Sequence, residues 1–171
     1  AAVQAIWACV TNGAKVLACG SGPSAAQAQQ LAAFCVTGFE RERPELAALA
    51  LVPDALWLAA ATTGAGADIA ALARQVRALG QAGDLLLAIT IAGNEPAMLE
   101  AVQAAHERDM TVVALTGRDG GALATLLRET DVQICVPHDR PARVREVHAL
   151  VLHCLSDGVD AQLLGEQENP I

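Results

Sequence analysis

Aromatic side chains are nearly missing: tyrosine is absent, and two phenylalanines and two tryptophans make up 2% of the 171 residues. A core must therefore be filled by alanine, leucine and valine, and a hydrophobic share of 53% supplies enough of them for one domain spanning 1–171. Positive charge is scarce too. Eleven Lys and Arg against 19 Asp and Glu leave a net charge of −8. That argues against non-specific binding to nucleic acid, which needs clustered cations, and favours a basic protein as partner. The cysteines Cys9, Cys19, Cys35, Cys135 and Cys154 form no C-x-x-C pair and no metal-ligand spacing. They read as small hydrophobes in a reducing compartment, with no disulfide and no metal site. No basic segment with an apolar run behind it opens the chain, and charges, Gly or Pro break every long apolar stretch. Neither a secretion signal nor a membrane span is expected, and the cytoplasm is the expected location. G-x-S-x-G, Walker, H-E-x-x-H and G-x-G-x-x-G motifs are all absent, so no cofactor is expected. The chain begins on Ala1 and almost at once inside a helical pattern, which suggests that a leading segment is missing.

What is present alternates short apolar runs with longer helical stretches. Strands are expected at Lys15–Cys19, Ala47–Val52, Asp84–Ile91, Thr111–Thr116 and Val132–Val136. Each is too short and too evenly apolar for a surface helix and suits a strand buried on both faces. Helices are expected at Ser24–Gly38, Ala65–Ala78, Pro96–Arg108, Gly121–Leu127 and Pro141–Leu163, with a first one ending near Asn12-Gly13. Five strands separated by helices predict a doubly wound α/β fold: a parallel sheet in three αβα layers, closed by a long C-terminal helix.

Ligands in such sheets bind beyond the carboxyl ends of the strands, at the point where strand order reverses. That rule selects two loops. In "LACGSGPSAAQAQQLA", Gly20, Ser21 and Gly22 allow a tight turn, and Ser24 is placed to cap the next helix, whose N–H groups attract an anion. In "AITIAGNEPAMLEA", Thr90 offers a hydroxyl, Gly93 a close backbone approach and Asn94 a polar side chain. Pro96 suits the first helical turn, whereas Glu95 repels a phosphate and reads more simply as a solvated first-turn residue. The binding set for a phosphate is thus Gly20, Ser21, Gly22, Ser24, Thr90, Gly93 and Asn94.

Four histidines invite acid–base readings. His148 and His153 lie five apart on the last helix, about 140° around its axis, and cannot close on one metal from one face. Glu146, Leu150 and His153 share a face, so a carboxylate and an imidazole could meet there. His138 follows a strand end, and His106, beside Glu107 and Arg108, reads as exposed. The run "FERERPE" reads as a solvated charge cluster or as subunit salt bridges. At the end of the last helix Leu163 and Leu164 point about 100° apart, so at least one should stay exposed. With Asp157, Asp160 and Glu166 they form an apolar spot rimmed by carboxylates, a candidate partner surface.

Taken in order, "VLACGSGPSAAQAQQLAA", "FERERP", "QVRALGQAGDLLLAIT", "GNEPAMLEAVQAA", "RDMTVVALTGRDGGALATLL" and "ARVREVHALVLHCLSDGVDAQLL" resemble the single-domain SIS (sugar isomerase) family from about Ile6 to Leu164. Within it they resemble the branch that holds phosphoheptose isomerase and the DnaA initiator-associating protein DiaA. The resemblance implies a five-stranded, flavodoxin-like αβα sandwich, a homotetramer, and a phosphosugar site near subunit interfaces. It also implies that most of the family's leading helical segment is absent here. Where the isomerases carry a His and a Glu after the first loop, this chain has Gln30 and Phe34, and Arg145 replaces a Gln on the last helix. Only the last-helix histidine survives, as His153, a vestigial candidate in an otherwise absent catalytic set. The wording lies nearest to DiaA, so the expectation is a non-catalytic protein with a degenerate phosphosugar pocket. It would bind a DnaA-type initiator through Leu163 and Leu164 and so regulate chromosome replication. The alternative is a sedoheptulose 7-phosphate isomerase or another sugar-phosphate isomerase. Whether Phe34 plugs the pocket around Ser24, Thr90 and His153 would separate the two readings.

Overall fold

The computed structural model describes residues 1–52 and 67–165. In chain order they form α1 (Ala2–Thr11), β1 (Val16–Gly20), α2 (Ser24–Thr37), β2 (Ala48–Ala50), α3 (Ala67–Leu79) and β3 (Leu85–Ile89). Then follow α4 (Pro96–Glu107), β4 (Thr111–Gly117), α5 (Gly121–Leu126), β5 (Val132–Val136) and α6 (Pro141–Leu164). The expected strands and helices are all found, with ends shifted by a residue or two. The predicted start of α3 at Ala65 lies outside the described residues.

All strand pairs are parallel and the order is β2-β1-β3-β4-β5. Strand alternation splits the core in two. Val16, Ala18, Leu85, Leu87, Ile89, Val113 and Leu115 face α1, α2 and α6, packing on Ile6, Leu31, Leu152 and Leu155. Leu17, Cys19, Leu86, Ala88, Val112 and Ala114 face α3 and α4, packing on Ala73, Val76, Met98 and Val102. Both sides of β1, β3 and β4 are thus buried, which is why their sequences read as unbroken apolar runs. The two outer strands differ: β2 leaves Leu49 46% exposed, and β5 alternates half-buried with exposed residues. An edge strand has one neighbour fewer, and its cover is partial.

The charge run is not solvated throughout. Arg43 and Asp160 form an ion pair at 2.5 Å with side chains 2% and 1% exposed. The same guanidinium donates to the carbonyls of Phe34 (2.7 Å), Cys35 (2.8 Å) and Pro44 (3.0 Å). Phe34 and Cys35 are in the last turn of α2, at the negative end of the helix dipole, where a cation is favoured. Arg41 reaches the carbonyl of Gly165 just beyond α6 (2.9 Å). The segment after α2 is therefore a clip onto α6 within the chain. Its spacing hid this, because Asp160 lies 117 residues away.

Candidate active site at the sheet's switch point

Chain order departs from β1 in both directions, to β2 on one side and β3 on the other, so the switch point lies between the ends of β1 and β3. The two loops chosen from sequence leave those strand ends. They touch: Ser21 N–H donates to the carbonyl of Ile89 (3.1 Å), and Ser21 Oγ reaches Glu95 Oε1 at 3.4 Å.

In the first loop, Gly20 ends β1 and Gly22 takes the left-handed conformation, with φ +51°. Ser24 does not cap α2. Pro23 holds the cap position without a side-chain hydrogen bond, and Ser24 is the first helical residue, fully buried, its Oγ without a partner. Its N–H donates to the Ser21 carbonyl (3.0 Å), and Ala25 N–H donates to Gly22 (3.1 Å). The first turn of α2 thus closes on its own loop rather than leaving all its donors for an anion.

In the second loop, Thr90 is buried and its Oγ1 accepts the Gly93 N–H (3.0 Å) while donating to Glu95 Oε2 (2.5 Å). Gly93 has φ +71°, and a β-carbon there would run into the Gly120 carbonyl. Only glycine fits. Asn94 points to α5, its Oδ1 accepting Ala122 N–H (2.9 Å), while its own N–H donates to Glu95 Oε2 (3.1 Å). Pro96 opens α4, as its fixed φ predicts. Glu95 was expected in solvent; instead it is half-buried and hydrogen-bonded to both loops.

His153 belongs to a second group. Its Nε2 lies 3.5 Å from Gln30 Nε2, and its ring packs against Phe34 (5.7 Å between centroids) and Phe39 (5.3 Å). The two phenylalanines also meet edge-on at 4.9 Å. Gln30 is six residues from Ser24, about 9 Å of helix rise. Phe34 therefore walls His153, and it is Glu95, not Phe34, that fills the loop cradle. Phe39, which sequence reasoning missed, could have been found as the apolar residue next to the helix-ending Gly38. Among the described residues no three His, Cys, Asp or Glu side chains form a group able to hold a metal ion. With Gln30 and two phenyl rings as neighbours, the donor set at His153 does not fit one.

The other histidines are structural. His148 is buried and bonded to the Thr116 carbonyl (2.9 Å), and burial lowers its pKa below the ordinary 6.5, against a smaller upward push from that bond. His106, expected to be exposed, is 7% exposed and paired with Asp131 at 2.7 Å. Asp131 also accepts the N–H groups of Val112 and Arg128 (2.8 Å each), so the cluster pins the start of β5 to α4 and β4. His138 is exposed, its Nδ1 accepting Arg140 N–H (3.0 Å). Glu146 pairs with Arg143 rather than with His153. At the end of α6, Leu163 packs on the core and Leu164 is 41% exposed, as the angle between neighbouring positions predicts.

Residues 1–117 match the family model described as SIS domain. The chain belongs to the SIS family. A phosphoheptose isomerase of Methylibium petroleiphilum is 58% identical over 98% of this chain and 83% of its own length. That of Azoarcus sp. is 52% identical over 98% of this chain and 84% of its own. Among solved structures, phosphoheptose isomerase GmhA from Neisseria gonorrhoeae superposes with a TM-score of 0.86 at 47% identity, covering 94% of this chain and 83% of that one. A phosphoheptose isomerase from Francisella tularensis gives 0.87 at 42% identity, covering 93% and 83%. These findings overturn the expectation of a non-catalytic, DiaA-like replication regulator. That reading rested on a few words and on three positions, Gln30, Phe34 and Arg145. The SIS relatives match nearly the whole chain and carry the isomerase name. No helix among the described residues is long and apolar enough to cross a membrane.

Proposed function

We propose that this chain is a sugar-phosphate isomerase of the phosphoheptose isomerase type, binding the phosphate end of its substrate at the two switch-point loops. The observation that carries the reading is the likeness to proteins of that name over almost the full chain. The geometry agrees with it. Ser21, Thr90 and the backbone of Gly22 and Gly93 bring hydroxyls and permissive backbone to the place where open α/β sheets take ligands.

Interconverting a ketose phosphate and an aldose phosphate moves one proton between C1 and C2 through an enediol. The base takes a proton from C1 and, after that proton has exchanged with solvent on the base, delivers one to C2, while the C2 carbonyl oxygen gains the proton that O1 gives up. His153 is the candidate for that transfer, since imidazole suits proton transfer near neutral pH. Gln30, next to its ring, would position it. The homo-oligomer implied by the family resemblance is kept as part of the proposal. Val147, Leu150 and Cys154, spaced three and four apart on α6, form an exposed stripe that a second copy would cover.

The test is turnover of sedoheptulose 7-phosphate, followed by appearance of the aldose, in the wild type and in His153→Asn. The reading expects turnover that falls at least a hundredfold in the variant. Absence of turnover overturns it, and binding without turnover would reduce this chain to a sugar-phosphate-binding module.

A further inference from the structure

The carboxylate of Glu95 lies between the two switch-point loops and is hydrogen-bonded to both. Three donors converge on it: Thr90 Oγ1 at 2.5 Å, Asn94 N–H at 3.1 Å and Ser21 Oγ at 3.4 Å. They come from both loops of the switch point. Because Thr90 Oγ1 already accepts the Gly93 N–H, its own proton is directed to an acceptor, and Glu95 is that acceptor. Carboxylate and phosphate make the same demand of such donors, through charged oxygens that accept several short hydrogen bonds at once.

The side chain is not there as a helix cap. Glu95 holds the cap position of α4 in an extended conformation (φ −70°, ψ 121°), yet it makes no side-chain hydrogen bond to the N–H groups of its own helix, the usual business of a cap. It turns back over the loops instead. Ser24 Oγ, fully buried at the start of α2, remains without a partner, so the first loop still holds a hydroxyl that Glu95 does not use.

We propose that Glu95 is an internal stand-in for the substrate's phosphate, a plug that an incoming phosphate must displace and that sets the affinity of the site. This rests on the sugar-phosphate reading above. Two anions cannot share three donors within about 4 Å without strong repulsion, so phosphate enters only as the carboxylate leaves. Glu95 is half-buried, and solvent on its open side gives the side chain somewhere to go. The chain thus trades affinity for a cradle whose donors stay ordered and satisfied when empty.

The experiment measures binding of inorganic phosphate and of sedoheptulose 7-phosphate by calorimetry to the wild type, Glu95→Ser and Glu95→Gln, with circular dichroism to show that each is folded. The wild type should hold inorganic phosphate no tighter than about 1 mM. Glu95→Ser should bind both probes at least tenfold tighter. Glu95→Gln, which keeps the size and loses the charge, should fall between. Equal or weaker binding in both variants overturns the plug. The two proposals fail differently. If the wild type turns over the sugar phosphate while both variants bind no tighter, the plug alone is wrong. If neither the wild type nor any variant binds the sugar phosphate, both are wrong.

Discussion

Replacing Arg43 by Met should be among the most damaging single changes to this fold. The guanidinium gives Asp160 Oδ1 its ion pair, while Asp160 Oδ2 has no hydrogen-bond partner, so the substitution strands a whole carboxylate in a site where it is 1% exposed. It also strips a donor from the carbonyls of Phe34 and Cys35. Breaking one side of a buried ion pair costs about 3–5 kcal/mol, a fifth or more of the roughly 5–15 kcal/mol that holds a typical domain together. At about 2–4 °C per kcal/mol for a chain of this size, Tm should fall by roughly 10 °C. Urea unfolding at pH 7 followed by far-UV circular dichroism gives the first number and a thermal melt the second. Arg43→Met combined with Asp160→Leu should regain at least half of the loss, because the orphaned charge is then gone. A loss under about 1 kcal/mol for the single variant would show that the pair is not buried in solution. A double variant as unstable as the single one would assign the loss to the α2 carbonyls or to packing.

Two further outcomes follow from buried groups. His148 has a lowered pKa because burial disfavours its charged form, so between that value and the ordinary 6.5 the unfolded chain binds more protons than the folded one. Its contribution is complete above about pH 6.5 and is lost as pH falls through that window, by at most about 1.4 kcal/mol per pH unit. Urea unfolding between pH 7.5 and 5 should therefore slope more steeply in the wild type than in His148→Gln, and parallel slopes would refute the assignment. Among the cysteines, burial raises the thiols of Cys9 and Cys35 to about 11 and that of Cys19 to about 12, whereas Cys135 and Cys154 are exposed. A thiol reagent at pH 8 should label Cys135 quickly and the three buried cysteines only on unfolding, read by mass spectrometry after digestion.

Much of this architecture is legible in the sequence because the central strands obey a simple rule. Val16–Cys19, Leu85–Ile89 and Val112–Leu115 are buried on both faces and so lack polar residues altogether. The two candidate ligand loops follow from the same pattern, as the strand ends flank the reversal of strand order. What was hidden depends on contacts far apart in the chain. Asp160 lies 117 residues from Arg43, and Asp131 lies 25 from His106, so Arg43 and His106, each taken alone, read as solvent-facing. Glu95 misled for a different reason. Its local signals, a carboxylate next to Pro96 at a helix start, describe an ordinary first-turn residue, and only Ser21, 74 positions earlier, shows that it bridges two loops. Ser24 was placed one residue wrong as a cap because Pro23 can itself hold that position.

The central claim, that this SIS chain moves a proton between two carbons of a sugar phosphate, is met most directly by running the reaction in D2O. With sedoheptulose 7-phosphate as substrate and proton NMR as readout, an enediol mechanism predicts an aldose phosphate carrying deuterium at C2. It also predicts exchange of a C1 proton of the remaining ketose, with both signals falling together in His153→Asn. An unchanged ketose spectrum after prolonged incubation with folded protein, with neither aldose nor exchange at C1, would contradict it.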